Sequence, residues 1–327
     1  MSASAASAAE QRRRIRRPRL VYGIAGALLL IAAILSFADV GEKAGRLSDW
    51  QAFALGVTQG LTELLPISSS GHLILVPWIA DWHYLEAHPE FNKTFDVALH
   101  LGTLVAVVAY FWNDVVRYVV AWFRSVGKRS IATDDERIAW WIFAATIPAA
   151  LAGAVGESAI EDYLGQPYQI AIFLAVFGVL LWLADRLPQE KRIGQLGFWP
   201  AFGIGVSQIL ALMPGVSRSG ITITTGRFLR LDRDAAARFA FLLLIPVVFG
   251  AVVYKGLTDV VLEPLPAGST GPFVVGTMAA AAVGLIAIDL LLGYLRRHDY
   301  TIFVIYRLVL AAAIVIVIAG GWRGAHF

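Results

Sequence analysis

Two short stretches of this sequence concentrate polar side chains inside apolar surroundings. The first carries Gln59 and Glu63, then Ser68, Ser69, Ser70, Gly71 and His72; the second carries Ser217, Arg218, Ser219 and Gly220. Gln59 and Glu63 are four residues apart, so they share one face of a helix leading into Pro66. An ionisable side chain within an apolar segment is costly and usually functional, although a simple role as partner of an arginine or an N–H group stands beside that reading. A hydroxyl next to an imidazole is the minimum pair for an activated nucleophile, but Ser-x-x-His alone is a common pattern. Arg218 brings a fixed cation with five donors, which suits phosphate or carboxylate bidentately, or simply neutralises Glu63. Together, an acid, hydroxyls, an imidazole and an arginine are the parts phosphate chemistry needs: charge neutralisation, a nucleophile and a proton-transfer group. Asp96 and His100, again four apart near the outer end of the next span, extend this polar wall, in a supporting role or, as the alternative, in direct catalysis. Asp289 and Arg307 read as structural, either an interhelical pair or snorkelling side chains.

The elements that must hold these residues are membrane helices. With 58% hydrophobic and 16% charged residues in 327, the chain has more apolar surface than one soluble core could hide. The expected class is therefore an all-α polytopic membrane protein. Seven stretches approach the roughly 20 apolar residues that cross a bilayer: 20–38, 95–112, 138–156, 169–184, 238–255, 272–293 and 302–320. Two more, 51–80 and 198–226, are interrupted by Pro, Gly and Ser and predict broken or re-entrant helices facing a cavity. The site residues sit at those two breaks. The absence of cysteine excludes disulfides, zinc–thiolate and iron–sulfur sites and cysteine nucleophiles. The net charge is +3, and its excess arginine flanks apolar runs, which is a topology signal and excludes a nucleic-acid partner.

With the arginine-rich N-terminus inside and each broken segment returning to its starting side, 20 of the 27 Lys and Arg residues fall inside and five outside. The inside set is the tail, Arg117 to Arg137, Arg186 to Arg192, Arg227 to Arg238, and Arg296 with Arg297. The segment holding Glu157, Glu161 and Asp162 falls outside. Residues 1–19 are expected to form a basic, disordered tail and 20–38 an accessory anchor, with cleavage after Ser36-Phe37-Ala38 as the competing signal-peptide reading.

The chain also repeats itself. Ala52 to Gln59 and Ala201 to Gln208 match at an offset of 149, and Ser70-Gly71 and Ser219-Gly220 return to it. Three spans follow each copy, so the halves 49–193 and 198–320 form an inverted-topology repeat within one integral membrane domain. Such repeats bring half-helix ends together near mid-membrane, where N–H groups and dipoles bind ions. Close packing of small residues is the plainer alternative, but it leaves Gln59, Glu63, His72 and Arg218 unaccounted for. No Walker A pattern is present, and Thr224 stands where the lipid phosphate phosphatase signature needs histidine.

Gly56 to His72, GVTQGLTELLPISSSGH, and Pro214 to Gly220, PGVSRSG, closely resemble the undecaprenyl-pyrophosphate phosphatase family associated with bacitracin resistance. Phe95 to Gly102 and Phe239 to Pro246 look like further family segments, and the resemblance spans roughly 49–320. It implies hydrolysis of a polyprenyl diphosphate to the monophosphate, recycling the cell-wall carrier lipid, at a site opening to the outer face of the bacterial cytoplasmic membrane. By the same resemblance Glu63 takes the place of the essential acid, Ser69 that of the proposed nucleophile, His72 that of the proton-transfer residue that would polarise it, and Arg218 that of the phosphate clamp; direct attack by water, by His72 or by a neighbouring serine stays open. Gln59, Ser68, Ser70, Gly71, Ser217, Ser219 and Gly220 would bind substrate. Glu63 with Mg²⁺ or Ca²⁺ on the diphosphate is a further expectation, although Gln59 removes a second carboxylate where the family has Glu or Gln. The partners expected are the lipid substrate and the membrane, and a homodimer is compatible with the sequence. The competing class is an inverted-repeat transporter or flippase for an anionic lipid, which would not need Ser69 beside His72.

Overall fold

The computed structural model describes residues 21–36, 46–256 and 269–325, with 157–162 as backbone only. The expected tail 1–19 and the last residues of the 20–38 anchor lie outside the described residues. Among the described residues the chain is helical, with one isolated parallel bridge between Lys191 and Leu231.

A short apolar helix α1 (Val21–Ser36) precedes the repeat region. The first half comprises α2 (Asp49–Thr62), α3 (Ser69–Ala80), α4 (His83–Ala87), α5 (Pro89–Tyr110), α6 (Trp112–Lys128), α7 (Asp134–Tyr163) and α8 (Pro167–Asp185). The second comprises α9 (Phe198–Ser207), a 3₁₀ turn Gln208–Leu212, α10 (Arg218–Phe228), α11 (Arg233–Lys255), α12 (Thr270–Leu295) and α13 (Thr301–Ala319). Among the described residues six helices are long and apolar enough to cross a membrane: α5, α7, α8, α11, α12 and α13. They correspond to six of the seven expected spans. The seventh is represented by the shorter α1, whose Tyr22 hydroxyl donates to Asp289 at 2.7 Å and whose Ala32 packs with Val275 and Ala279 of α12. Helix α6 has no counterpart among the expected spans. Its first turn carries Asp114, its last Lys128, and Arg117 lies between, so it is too polar to register in an apolar-run search.

Local chemistry sets the two hairpins. Ser48 caps α2 in a capping box with Gln51, each side chain bonded to the other's backbone N–H. The chain leaves α2 at Glu63, turns at Pro66 and restarts at Ser68, whose φ of 76° is unusual for a residue with a side chain and whose Oγ accepts from Gly71 N–H. The second hairpin repeats this geometry: Ser217 has φ 75° and its Oγ accepts from Gly220 N–H at 3.1 Å. Ser68 and Ser217 are 149 positions apart, as are Gly71 and Gly220.

Helix α12 forms the centre. Helices α2 and α5 pack on it, and α9 packs on α7. Small residues allow the close approach. A Cβ on Gly56 of α2 would collide with the Gly276 carbonyl of α12, and one on Gly205 of α9 would collide with the Ala145 carbonyl of α7. Gly56 and Gly205 are again 149 apart. Helices α5 and α11, and α8 and α13, pair directly, so exchanging the halves maps these packings onto themselves.

Polar latches identify the two ends. At one, the fully buried Arg227 at the end of α10 donates to Asp185 of α8 at 3.2 Å, Arg233 of α11 meets the same carboxylate at 2.8 Å, and Tyr300 N–H before α13 donates to it at 3.0 Å. At the other end of α13, Arg323 pairs with Asp81, which terminates α3. Nineteen residues of α13 separate these latches, about 28 Å of helix. The first hairpin therefore opens at one end of α13 and the second at the other.

Candidate active site

The site forms where the hairpin tips meet. Ser68 Oγ accepts from Gly215 N–H at 3.0 Å, and Ser219 Oγ donates to the Leu65 carbonyl at 3.0 Å, so each loop is bonded to the other's backbone. Helices α3 and α10 start here, and their first-turn N–H groups lie outside the helical ladder by construction.

Glu63 lies between the tips with its side chain 2% exposed. Ser69 Oγ donates to Glu63 Oε2 at 2.5 Å, Gln59 Nε2 donates to the same oxygen at 3.1 Å, and His100 Nε2 lies 3.3 Å from it. Arg218 Nη2 pairs with Oε1. One carboxylate thus joins Ser69 of the first loop to Arg218 of the second. The plain role weighed for Arg218, neutralising Glu63, is realised in this arrangement. Its Nε and Nη1 form no bond within the described residues, which leaves part of the guanidinium fork for another anion.

His72 stands differently from expectation. No hydrogen bond joins it to Ser69 among the described residues. It sits one turn into α3, its Nδ1 lies 2.6 Å from the Ser68 carbonyl one turn back, and its Nε2 lies 2.7 Å from the hydroxyl of Tyr306 on α13. The Nδ1–H donates to the carbonyl, so Nε2 is the acceptor for Tyr306. Both nitrogens are occupied, and the serine's acceptor is Glu63. The expected Ser69–His72 pair gives way because the Ser68 carbonyl and the Tyr306 hydroxyl take both ring nitrogens, while the Ser69 hydroxyl turns to Glu63.

Arg307 corrects a second expectation. It pairs neither with Asp289 nor with the bilayer surface. Fully buried in α13, it donates to the carbonyls of Pro66 at 3.1 Å, Gly215 at 2.9 Å and Val216 at 3.1 Å in the two loops, and to Phe173 and Leu174 of α8 at 3.3 and 3.0 Å. Asp289 instead accepts from Tyr22 and, at 3.0 Å, from Tyr110. Gly220 makes room for Arg307, since a Cβ there would lie 3.0 Å from Nη1. Tyr306 and Arg307 are thus site residues that motif reasoning missed. The available signal was an arginine in mid-span, which in a membrane finds an internal partner.

The remaining expected residues distribute by depth. Ser68, Ser217 and Gln59 are buried, while Ser70 and Arg218 keep partial exposure. Gln59 Oε1 is buried without a hydrogen-bond partner among the described residues. Asp96 contributes its backbone carbonyl, 2.7 Å from His100 Nδ1. No three His, Asp or Glu side chains among the described residues group to hold a metal ion. A Mg²⁺ or Ca²⁺ expected at Glu63 and the diphosphate would meet a carboxylate whose oxygens already face four donors.

Comparison with known proteins identifies the family. The family model described as bacitracin resistance protein BacA matches residues 52–313. An undecaprenyl-diphosphatase of Moorella thermoacetica is 44% identical over 269 residues, covering 82% of this chain and 97% of that protein. Those of Desulforudis audaxviator and Pelobacter propionicus are 43% and 44% identical, covering 83% and 84% of this chain and 98% of each relative. Both loops, the glutamate between them and Arg307 fall within the matched stretch, and the chain belongs to the bacitracin resistance protein BacA family.

Proposed function

We propose that this multi-pass membrane protein is an undecaprenyl-diphosphate phosphatase, hydrolysing the polyprenyl diphosphate to its monophosphate and thereby recycling the carrier lipid of cell-wall synthesis. The observation that carries the mechanism is the Glu63 carboxylate shared by Ser69 and Arg218. Ser69 Oγ attacks the terminal phosphorus and passes its proton to Glu63. The bond from that phosphorus to the bridging oxygen breaks, and the polyprenyl monophosphate leaves with the electron pair. Water then cleaves the phosphoserine and inorganic phosphate departs. Arg218 and the N-terminal N–H groups of α3 and α10 offset the charge on the nonbridging oxygens. His72, held between Ser68 and Tyr306, serves a later proton transfer rather than activation of Ser69.

A divalent cation in this reaction would enter on the diphosphate's own oxygens, since Glu63 already faces donors. We read the two hairpins as an inverted-topology repeat, supported by their matching serine geometry and opposite openings. We read the site as opening toward the outer face of the bacterial cytoplasmic membrane, because the arginine-rich latch lies at the far end of α13. The transporter or flippase reading is not favoured, because the relatives are named as diphosphatases and a carrier needs no hydroxyl bonded to its buried acid. Phosphate release from undecaprenyl diphosphate by the purified protein in detergent tests the proposal. Multiple turnovers are expected, and their loss in Ser69→Ala; absence of release from the unsubstituted protein would overturn it.

A further inference from the structure

Two histidines border the site, and their second nitrogens divide them. His72 turns Nε2 to Tyr306. His100 turns Nε2 to Glu63 Oε2, the oxygen that accepts from Ser69, at 3.3 Å. Its Nδ1 lies 2.7 Å from the Asp96 carbonyl, which only accepts, so Nδ1 carries hydrogen. Nε2 faces a carboxylate oxygen, and with Glu63 ionised this contact puts hydrogen on Nε2 as well, which makes the ring an imidazolium paired with Glu63. The ring at position 100 is therefore a two-sided donor, fixed to its own helix on one side and to Glu63 on the other.

The seat of that helix is rigid. Thr277 Oγ1 of α12 donates to the Ala98 carbonyl at 3.0 Å, and Gly102 lies so close to α12 that a Cβ there would collide with the Thr277 carbonyl. Glu63, by contrast, ends α2 at the start of a loop, so the orientation of its carboxylate depends on the partners that meet its two oxygens. Arg218 fixes Oε1. Gln59 fixes Oε2 from within α2 itself. Ser69 meets Oε2 from the first residue of α3, and His100 meets it from α5, which is seated on α12.

We propose that His100 is a positioning residue for the reaction: by donating Nε2–H to Glu63 Oε2, it holds that oxygen in line to take the proton of Ser69. It touches no substrate atom and acts through Glu63. The inference rests on the serine-nucleophile reading above and adds a residue to which the family resemblance gave no role.

The test uses the full chain in detergent, with turnover of undecaprenyl diphosphate and the rate at which a short alkyl fluorophosphonate labels Ser69, read by mass spectrometry. Removing the donor in His100→Ala should slow both kcat and labelling about tenfold or more, within the range general-base help is worth. KM should stay within about twofold and the melting temperature should not move. His100→Gln, which restores an N–H donor, should recover both rates to within about threefold. Should the alanine variant not fold, His100→Met, apolar and of similar length, takes its place. Labelling at the unsubstituted rate in the donor-less variant would overturn the proposal. So would a loss that glutamine fails to recover, or one accompanied by a lowered melting temperature. Failure of Ser69 to label in the unsubstituted protein would instead count against the serine nucleophile. In that case the kcat loss and its rescue by glutamine would still decide whether His100 positions Glu63.

Discussion

Glu63 collects a hydroxyl, an amide, an imidazole and a guanidinium around one carboxylate. Because Ser69 and Glu63 share a 2.5 Å hydrogen bond, they should behave as a unit. Ser69→Ala and Glu63→Gln are each expected to lower kcat by about 10²-fold or more, and the double variant to lose little beyond the worse single one. Multiplying losses in the purified variants would show that the serine's proton goes elsewhere. Arg218 offers a different contrast. It is committed to Glu63 through one nitrogen and keeps partial exposure, and its planar guanidinium offers further donors in a geometry that an ammonium cannot reproduce. Arg218→Lys should therefore remain at least about tenfold below the unsubstituted protein in kcat/KM; near-normal turnover would reduce Arg218 to a point charge. Gln59, Glu63, Ser69 and Arg218 were legible in the sequence because polar residues at breaks in apolar segments have few bland explanations. The partner of Ser69 was not. Ser-x-x-His spacing suggests an imidazole, whereas the Ser68 carbonyl and Tyr306 occupy both nitrogens of His72 and the turn at Pro66 brings Glu63 back to Ser69.

At the scale of elements, the two loops depend on a helix from neither hairpin. Arg307 in α13 supplies donors to three loop carbonyls and two carbonyls of α8, none of which water can satisfy at that depth. A buried arginine bonded only to main chain holds loops in register better than it stabilises the fold, since its desolvation offsets much of the gain. Arg307→Met leaves several carbonyls unpaired, each costing about 1–3 kcal/mol. The variant is expected to melt well below the unsubstituted protein in detergent and to lose turnover. An unchanged melting temperature would mean that the loops hold themselves through Ser68 and Ser219. The hairpins, the six long spans and the repeat were visible as apolar runs, their interruptions and a common offset. Helix α6 was not, because amphipathic surface helices carry too much charge for a run of apolar residues to reveal them.

For the whole molecule, the latches at Asp185 and Asp81 place the two hairpin openings at opposite ends of α13. The natural absence of cysteine makes the orientation directly measurable, since a single introduced thiol is the only one present. Glu86→Cys, near the Asp81 end, should react with a membrane-impermeant maleimide on intact cells, and Glu190→Cys, near the Asp185 end, only after permeabilisation. The reverse pattern would turn the site to the cytoplasm. By itself the sequence determined the class, the spans, the pair of broken segments and the residue types at their tips. These follow from hydrophobic run length, from the breaking of helices by Pro and Gly, and from the cost of burying polar groups in lipid. Only the tertiary structure decided which side chain meets which. It took Arg307 from Asp289 to the loop carbonyls, His72 from Ser69 to Tyr306, and His100 from the periphery to Glu63. Those contacts join residues as many as 241 positions apart. They are set by how helices cross and rotate against one another, which spacing along a single helix does not encode.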